Sequence, residues 1–347
     1  MPKTHKHLFE QIVSLPNLFG AARDALRGKR SRSPAASFFA DLEGEVVTLR
    51  DELESETYQH GAYHYFTIHE PKERMVAAAP FRDRVVHHAI VRVLTPIFEP
   101  RFISDSFACR KGKGTHAALE RAAEFTRQYR YALKCDVRKY FPSVDHEVLQ
   151  QRLARVIADD RALDLIGRVL ASHRDGTAQE WGGADLFSVA ERPRGLPIGN
   201  LTSQFLANVY LDPLDHFVKE ELRVKGYVRY VDDFLLFHDE RAVLRDWGNR
   251  VREKLAELRL EIHPDKYRLQ PTRCGVDFVG FVCFANGRRR IRSTNVRRFT
   301  LKFRAQQREV MDGKLAPSDL TQSVRAWIAH AAHAQSWGLR TALLSGK

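Results

Sequence analysis

Apolar residues recur along this chain with two periods, one helical and one extended. From Arg82 to Glu99, the positions Val85, Val86, Ala89, Ile90, Val93 and Leu94 repeat at helical spacing and predict a helix with one buried stripe. A second helix is predicted from Thr115 to Arg130, after the glycine-rich Arg110-Lys111-Gly112-Lys113-Gly114. Tyr131 to Asp136 then alternates as a strand, with Tyr131, Leu133 and Cys135 on one face and Lys134 and Asp136 on the other. Asp136 thus ends a strand and faces away from its apolar side. Helical spacing returns from Asp145 to Ala171, followed by a loop with Gly176, Gly182 and Gly183. Beyond Gly195 to Gln204 a further helix is expected, restarted at Pro213, where a first helical turn does not need the missing N–H.

Gly226 to His238 is the most informative stretch. Tyr227-Val228-Arg229-Tyr230 and Phe234-Leu235-Leu236-Phe237 are rich in strand formers, and Val231-Asp232-Asp233 lies between them. The pattern predicts a hairpin with carboxylates at its tip. Val243, Leu244, Trp247, Val251 and Leu255 predict a helix, and Leu258, Leu260 and Ile262 alternate like a strand. Asn286-Gly287 is a two-residue turn signal that predicts a hairpin from Asp277 to Ser293. Near the N-terminus, Leu26 to Pro34 is basic and Gly/Pro-punctuated, which marks a loop after a short helical region.

Charge changes the picture. The 347 residues carry 56 Lys and Arg against 43 Asp and Glu, a formal charge of +13, which favours a polyanionic partner and nucleic acid first. From Arg288 to Arg308 there are nine Lys or Arg and no acidic residue, whereas a solvated helix face mixes signs. Arg288, Arg289, Arg290, Arg297 and Arg298 are therefore the candidate nucleic-acid contacts. Apolar residues nowhere persist for the length of a membrane span, so no membrane partner and a cytoplasmic location are expected. Cys109, Cys135, Cys274 and Cys283 lack zinc-site spacing and are expected to be reduced core residues. His87, His88 and His116 are expected on the surface or in helix packing.

Asp136 and the pair Asp232-Asp233 are 96 residues apart, one at a strand end and the other at a hairpin tip. Adjacent antiparallel strands would bring them together. Clustered carboxylates repel unless a cation sits among them, and phosphoryl transfer uses hard divalent ions held by oxygen ligands. Magnesium fits that donor set best.

The same residues resemble a known family. Tyr230-Val231-Asp232-Asp233 looks like the Y-x-D-D signature of reverse transcriptases, and Asp136 followed by Phe141 resembles their first palm motif. Ser106 to Leu119 is similar to a fingers block of the family, Lys266 falls where the family has a lysine after the hairpin, and Phe278-Val279-Gly280-Phe281 looks like its primer grip. The order and spacing agree across roughly residues 60–290. Within the family, Ile198-Gly199-Asn200-Leu201-Thr202-Ser203-Gln204 departs from the Q-G-x-x-x-S-P of intron and retron enzymes, with Ile for Gln and Gln for Pro. That pattern resembles the reverse transcriptases of diversity-generating retroelements, as do Gly28-Lys29-Arg30, Glu70-Pro71-Lys72 and the short tail containing Trp327.

The resemblance implies an α+β, right-hand polymerase: fingers over residues 1–130 with an N-terminal extension, and a palm over 131–289 with an antiparallel sheet backed by helices. A fingers insertion is implied at about 150–194 and a small helical thumb over 290–347. No room is expected for an added RNase H or endonuclease domain. The implied activity is RNA-directed DNA synthesis from dNTPs on a template RNA, giving cDNA with errors opposite template adenine. A small basic helical accessory protein is the implied partner. Two Mg2+ ions, with Mn2+ able to replace them, are implied at Asp136, Asp232 and Asp233 with the Val137 carbonyl, and Lys266 is the implied proton donor to pyrophosphate. Lys72, Arg74, Phe141, Ile198, Gly199, Ser203 and Gln204 are the implied nucleotide-binding residues. Phe141 is placed under the incoming sugar. The alternatives are a defence-associated or retron-like reverse transcriptase and an inactive RNA-binding scaffold with the same fold.

Overall fold

The computed structural model describes residues 4–28, 33–69, 73–173 and 192–345. Lys72 and the glycine loop at Gly176, Gly182 and Gly183 lie outside the described residues. Within them, α1 (Leu8–Val13), α2 (Leu15–Leu26), α3 (Ser33–Ala40) and α4 (Leu42–Glu54) open the chain. A two-stranded ribbon follows, β1 (His64–Ile68) and β2 (Arg74–Ala78), then α5 (Phe81–Phe98), α6 (Thr115–Gln128) and β3 (Tyr131–Asp136). Helices α7 (Tyr140–Ser143), α8 (His146–Ala154), α9 (Asp160–Ala171) and α10 (Leu201–His216) precede a hairpin, β4 (Gly226–Tyr230) and β5 (Asp233–His238). After α11 (Arg241–Glu257) come the short strands β6 (Arg268–Pro271), β7 (Val276–Phe278), β8 (Phe281–Cys283) and β9 (Arg289–Ile291). The last helices are α12 (Ser293–Met311), α13 (Pro317–Ala331) and α14 (Trp337–Leu344). Helices and antiparallel sheets together make this an α+β chain. No described helix is long and apolar enough to cross a membrane.

Where one periodic stripe meets one partner, the sequence expectation holds: α5, α6, β3 and the β4–β5 hairpin form within two residues of the predicted limits. Four expectations are corrected. The span 145–171 is two helices, because Asp159 caps α9 through Ala162 N at 3.0 Å and also accepts from the amides of Leu8 and Phe9. Helix α10 runs through Pro213 without restarting and passes into a π-turn at Phe217–Glu221; fully buried Tyr210, Leu211 and Leu214 hold it in register on both sides of the proline. Leu258, Leu260 and Ile262 form no strand. Arg259 takes a left-handed φ of 55° and Leu260 N bonds back to Leu255 O, so the alternation is the capped end of α11, and β6 takes the place beside β3. Finally, Cys135 and Cys283 are buried but Cys109 and Cys274 are exposed; all four are free thiols. Helices α3 and α4 and the β1–β2 ribbon had no predicted counterpart. The Asn286-Gly287 turn does join β8 to β9, and β7 extends that hairpin to three strands in the order β7-β8-β9.

The chain divides into two compact units. The first comprises Met1–Ile103, Val137–His216 and Glu253–Glu261. Here α5 packs against α2 and α10, and α10 against α8. His87 on α5 is 1% exposed, with its Nε2 3.2 Å from that of His60, so it belongs to the packed interior. The ribbon edge is continued by the loop before α10: Ala77 N donates to Ile198 O at 2.9 Å, and Asn200 Nδ2 to Ala77 O at 2.8 Å.

The second unit comprises Ser104–Asp136, Phe217–Arg252 and Ile262–Lys347. Its four-stranded antiparallel sheet has the order β4-β5-β3-β6. One face, with Ala132, Val228, Leu235 and Phe237, packs on Ala118, Ala122 and Phe125 of α6 and on Val276 and Phe278 of β7. The opposite face buries Leu133, Cys135, Tyr227, Phe234 and Leu236, and α11 comes close enough there that a side chain at Gly248 would meet Leu133 and Tyr267. A second cluster joins Leu119 and Ala123 of α6 to Phe281, Cys283, Ile291, Phe299 and Trp327, the last two rings stacked at 4.0 Å. Exposed His116 at the start of α6 stacks on His333 at 3.5 Å.

The outer edge of β4 is closed by the segment before α6. Arg229 N donates to Asp105 O at 2.9 Å and Phe107 N to Arg229 O at 3.0 Å. The Arg229 side chain is fully buried, and its guanidinium donates to Val231 O at 2.9 Å and to Ser106 Oγ at 3.0 Å. It therefore ties the hairpin tip to the 105–107 segment. Replacing Arg229 with Met removes these charge-assisted bonds and leaves buried acceptors unpaired, a cost of about 2–5 kcal/mol. Urea unfolding of Arg229→Met is expected to show that loss; a decrease in unfolding free energy under about 1 kcal/mol, the size of a surface substitution, would contradict it.

Candidate active site

Pairing register assembles the carboxylates. Strand β3 lies antiparallel to β5 with Asp136 opposite Asp233, and β4 places Tyr230 opposite Asp233 as well. Residues directly opposite on antiparallel strands share a face, so both carboxylates leave the sheet on the side of Lys134, as the alternation of β3 predicts. The turn between the strands is tight. Val231 sits at a φ of 57°, a left-handed conformation that a β-branched residue adopts only when its surroundings impose it. Arg229 supplies that restraint by holding the Val231 carbonyl, and the Tyr230 hydroxyl meets Thr115 Oγ1 at 3.0 Å at the start of α6.

Two lysines enter this group. Lys134 Nζ is 3.2 Å from Asp233 Oδ2, and Lys266 Nζ is 2.5 Å from Asp136 Oδ1. Lys266 ends a 3-10 turn that is fastened to β3 by a bond from His263 N to Asp136 O at 2.8 Å. The structure thus brings Asp136, Asp233 and Lys266 together, with Asp232 next in sequence to Asp233, and adds Lys134. The only sequence signal for Lys134 was its place on the Asp136 face of the strand.

The carboxylates are arranged as an incompletely compensated cluster. Burial pushes the Asp233 carboxyl up to about 7; Lys134 pulls it down, and Asp136 and Asp232 add to the rise. Asp233 Oδ1 is buried and has no hydrogen-bond partner. A buried anionic oxygen left unpaired beside further carboxylates is the donor chemistry that a hard divalent cation satisfies. Among the described residues no three His, Cys, Asp or Glu side chains converge in metal-ligand geometry, and Lys134 and Lys266 take oxygens of two of the aspartates. The donor set fits a divalent cation. Val137, named for its carbonyl, follows Asp136 and has a buried side chain.

The other predicted positions are local features of their own units. In the first unit Arg74 is exposed at the start of β2, Phe141 is half-buried on α7, Gln204 is exposed, and Ser203 is buried with an unpartnered Oγ. Ile198 gives its carbonyl to β2, and Gly199 has a φ of 110° with no room for a side chain: a Cβ would lie 2.7 Å from Val76 Cγ1. The close approach at Gly199 in the described structure is that of the Val76 side chain. In the second unit Arg288, Arg290 and Arg297 are exposed and Arg298 is half-buried, bonding to Asn295 Oδ1 at 2.9 Å. Arg289 is committed to an ion pair with Glu120.

Gly199→Ala is expected to cost about 1–3 kcal/mol, from the strained φ together with the steric contact. Adding Val76→Ala should recover the contact part and leave the backbone part. Thermal unfolding of the single and double variants measures both; no recovery in the double variant would show that Val76 is not what limits the position.

Residues 68–283 match the family model described as reverse transcriptase (RNA-dependent DNA polymerase). The chain is 26% identical over 320 residues to protein YkfC of Escherichia coli (strain K12), covering 78% of this chain and 81% of that protein. It is 26% identical over 210 residues to the group II intron-encoded protein LtrA of Lactococcus lactis subsp. cremoris, covering 58% of this chain and 33% of LtrA. An uncharacterized 91 kDa protein in cob intron of Schizosaccharomyces pombe is 30% identical over 149 residues, 42% of this chain and 17% of that protein. The chain spans a third or less of these two intron-encoded relatives. With more than half of its length inside the matched region, including every aspartate of the cluster, the chain belongs to the reverse transcriptase (RNA-dependent DNA polymerase) family.

Proposed function

We propose that this reverse transcriptase copies a template RNA into cDNA at the cluster Asp136, Asp232 and Asp233, and that it is of the error-prone kind found in diversity-generating retroelements. The observation that carries the first part is the register of Asp136 opposite Asp233 with an unpartnered buried Oδ1. Two bound Mg2+ ions would supply charge stabilisation at the attacking and leaving oxygens of phosphoryl transfer. Asp136 and Asp232 would hold them, with Asp233 and the Val137 carbonyl as further oxygen donors. Lys266 stands at the cluster as the donor of a proton to the leaving pyrophosphate.

In this reading the β4-β5-β3-β6 sheet is the palm, the β1–β2 ribbon belongs to the fingers and α12 to α14 form the thumb. The roles of Lys72 and Arg74 at the triphosphate, of Phe141 under the sugar, and of Ile198, Gly199, Ser203 and Gln204 along the nucleotide rest on the resemblance. Arginine's planar fork suits phosphate oxygens, which favours Arg74. Exposed Arg288, Arg290 and Arg297 are available for a nucleic-acid backbone, and Arg298 lies beside them. The accessory protein, the cytoplasmic location and the adenine preference rest on the retroelement resemblance of the 198–204 segment. The similarity to LtrA favours a second reading, an intron-type enzyme of ordinary fidelity.

Asp136→Ala and Asp232→Ala are each expected to abolish primer extension on an RNA template while RNA binding persists, since the basic surface does not depend on the carboxylates. Near wild-type extension by either variant would remove the assignment. The two subtypes separate on errors. Sequencing cDNA copied from a defined RNA should show misincorporation concentrated opposite adenine, with the adenine share altered by Ile198→Gln; equal error rates at all four template bases favour the intron-type reading.

A further inference from the structure

Lys134 has no part in the chemistry proposed above, yet it is built into its centre. Its side chain is 15% exposed and leaves β3 on the Asp136 face, with Nζ 3.2 Å from Asp233 Oδ2. The same ammonium donates to the backbone carbonyl of Asp277 on β7 at 2.8 Å. Two anchors on different strands hold it where a surface lysine would spread over many rotamers. The anchor on β7 is itself secured: the Asp277 carboxylate accepts from Arg292 Nε at 2.9 Å, and Arg292 immediately precedes α12. The chain Asp233, Lys134, Asp277, Arg292 thus runs from the hairpin tip to the strand that carries Phe278 and on to the base of α12.

The consequence for Asp233 is asymmetric. One carboxylate oxygen is taken by Lys134, while Oδ1 is buried without a partner. We propose that Lys134 is a positioning residue that pins Asp233 by Oδ2, presents only Oδ1 to a divalent cation, and offsets one of the three carboxylate charges in the cluster. The proposal rests on the reading that cations bind at these aspartates. Loss of the ammonium then has two opposed effects. The cluster attracts a divalent cation more strongly, because a neighbouring positive charge is gone, and Asp233 loses its fixed orientation, so turnover falls. A lysine that served folding alone would weaken cation binding together with stability.

Mn2+ binding to the full purified chain, followed by electron paramagnetic resonance, separates these cases. Lys134→Met is expected to bind Mn2+ about tenfold tighter than wild type, from removal of one unit charge within a few ångströms, while primer extension slows. Lys134→Arg, which keeps the charge, should return Mn2+ affinity to the wild-type value. Lys134→Gln keeps N–H donors for Asp277 and Asp233 without the charge, and should also bind Mn2+ more tightly should the methionine variant fail to fold. Equal or weaker Mn2+ binding by a folded neutral variant overturns the proposal. Mn2+ binding by wild type that is absent, or insensitive to Asp136→Ala and Asp232→Ala, overturns the reading beneath it and the proposal with it.

Discussion

The structure turns on the repulsion between two aspartates that one strand register brings together, with Asp232 next to them in the turn. Asp136 and Asp233 face each other across β3 and β5, an arrangement that like charges resist. What surrounds them is arranged to withstand that resistance. Lys134 and Lys266 each take a carboxylate oxygen, and both lysines are held by backbone contacts. The sheet beneath is buried on both faces, by α6 and β7 on one and α11 on the other. A one-residue slip in β3 would send Asp136 to the opposite face among Tyr227 and Phe234, so burial on both sides protects the register as well as the fold.

The hairpin tip shows the same economy of support. Val231 is strained, and the strain persists because fully buried Arg229 grips its carbonyl from one side while Tyr230 is held at Thr115. Arg229 in turn depends on the 105–107 segment, whose Asp105 is held by Arg121 at 2.8 Å and Lys219 at 2.9 Å. The 105–107 segment thus has a structural duty in the second unit: it closes the open edge of β4 and fixes the turn that carries Asp232.

The small β7-β8-β9 sheet extends this network toward the C-terminal helices. Through Lys134 and Asp277 the aspartate cluster is bonded to β7, and through Arg292 to the start of α12. The basic helix α12 packs by Phe299 on Trp327, leaving Arg297 and Lys302 exposed. The basic charge from Arg288 to Arg308 is not uniformly available, however, because Arg289 on β9 is paired with Glu120 and Arg292 before α12 with Asp277. Counting basic residues overestimates a nucleic-acid surface when acidic partners come from distant parts of the chain.

Much of the site was legible in the sequence because it is encoded locally. The alternation of Tyr131 to Asp136 set the face of Asp136, and strand formers around Val231-Asp232-Asp233 set a hairpin with acidic residues at its tip. These patterns have the period of the element they form, and no distant contact is needed to read them. Local pattern failed where a distant partner decided the outcome. Asp159 divides a helical stretch by capping α9 and binding Leu8 and Phe9, and Arg259 turns an apparent strand into a helix end. Burial on either side carries α10 through Pro213. The β1–β2 ribbon was missed because its β1 positions are exposed on both faces, so neither strand carries a one-sided apolar stripe. The role of Lys134 belongs to the same class: its identity and face are in the sequence, but its partners, Asp233 and Asp277, lie 99 and 143 residues away. Sequence by itself determined which acidic residues stand at a strand end and a hairpin tip and which strand face Asp136 takes. Only tertiary structure decided which charges are already paired, because pairing depends on contacts between segments whose separation along the chain carries no periodic signal.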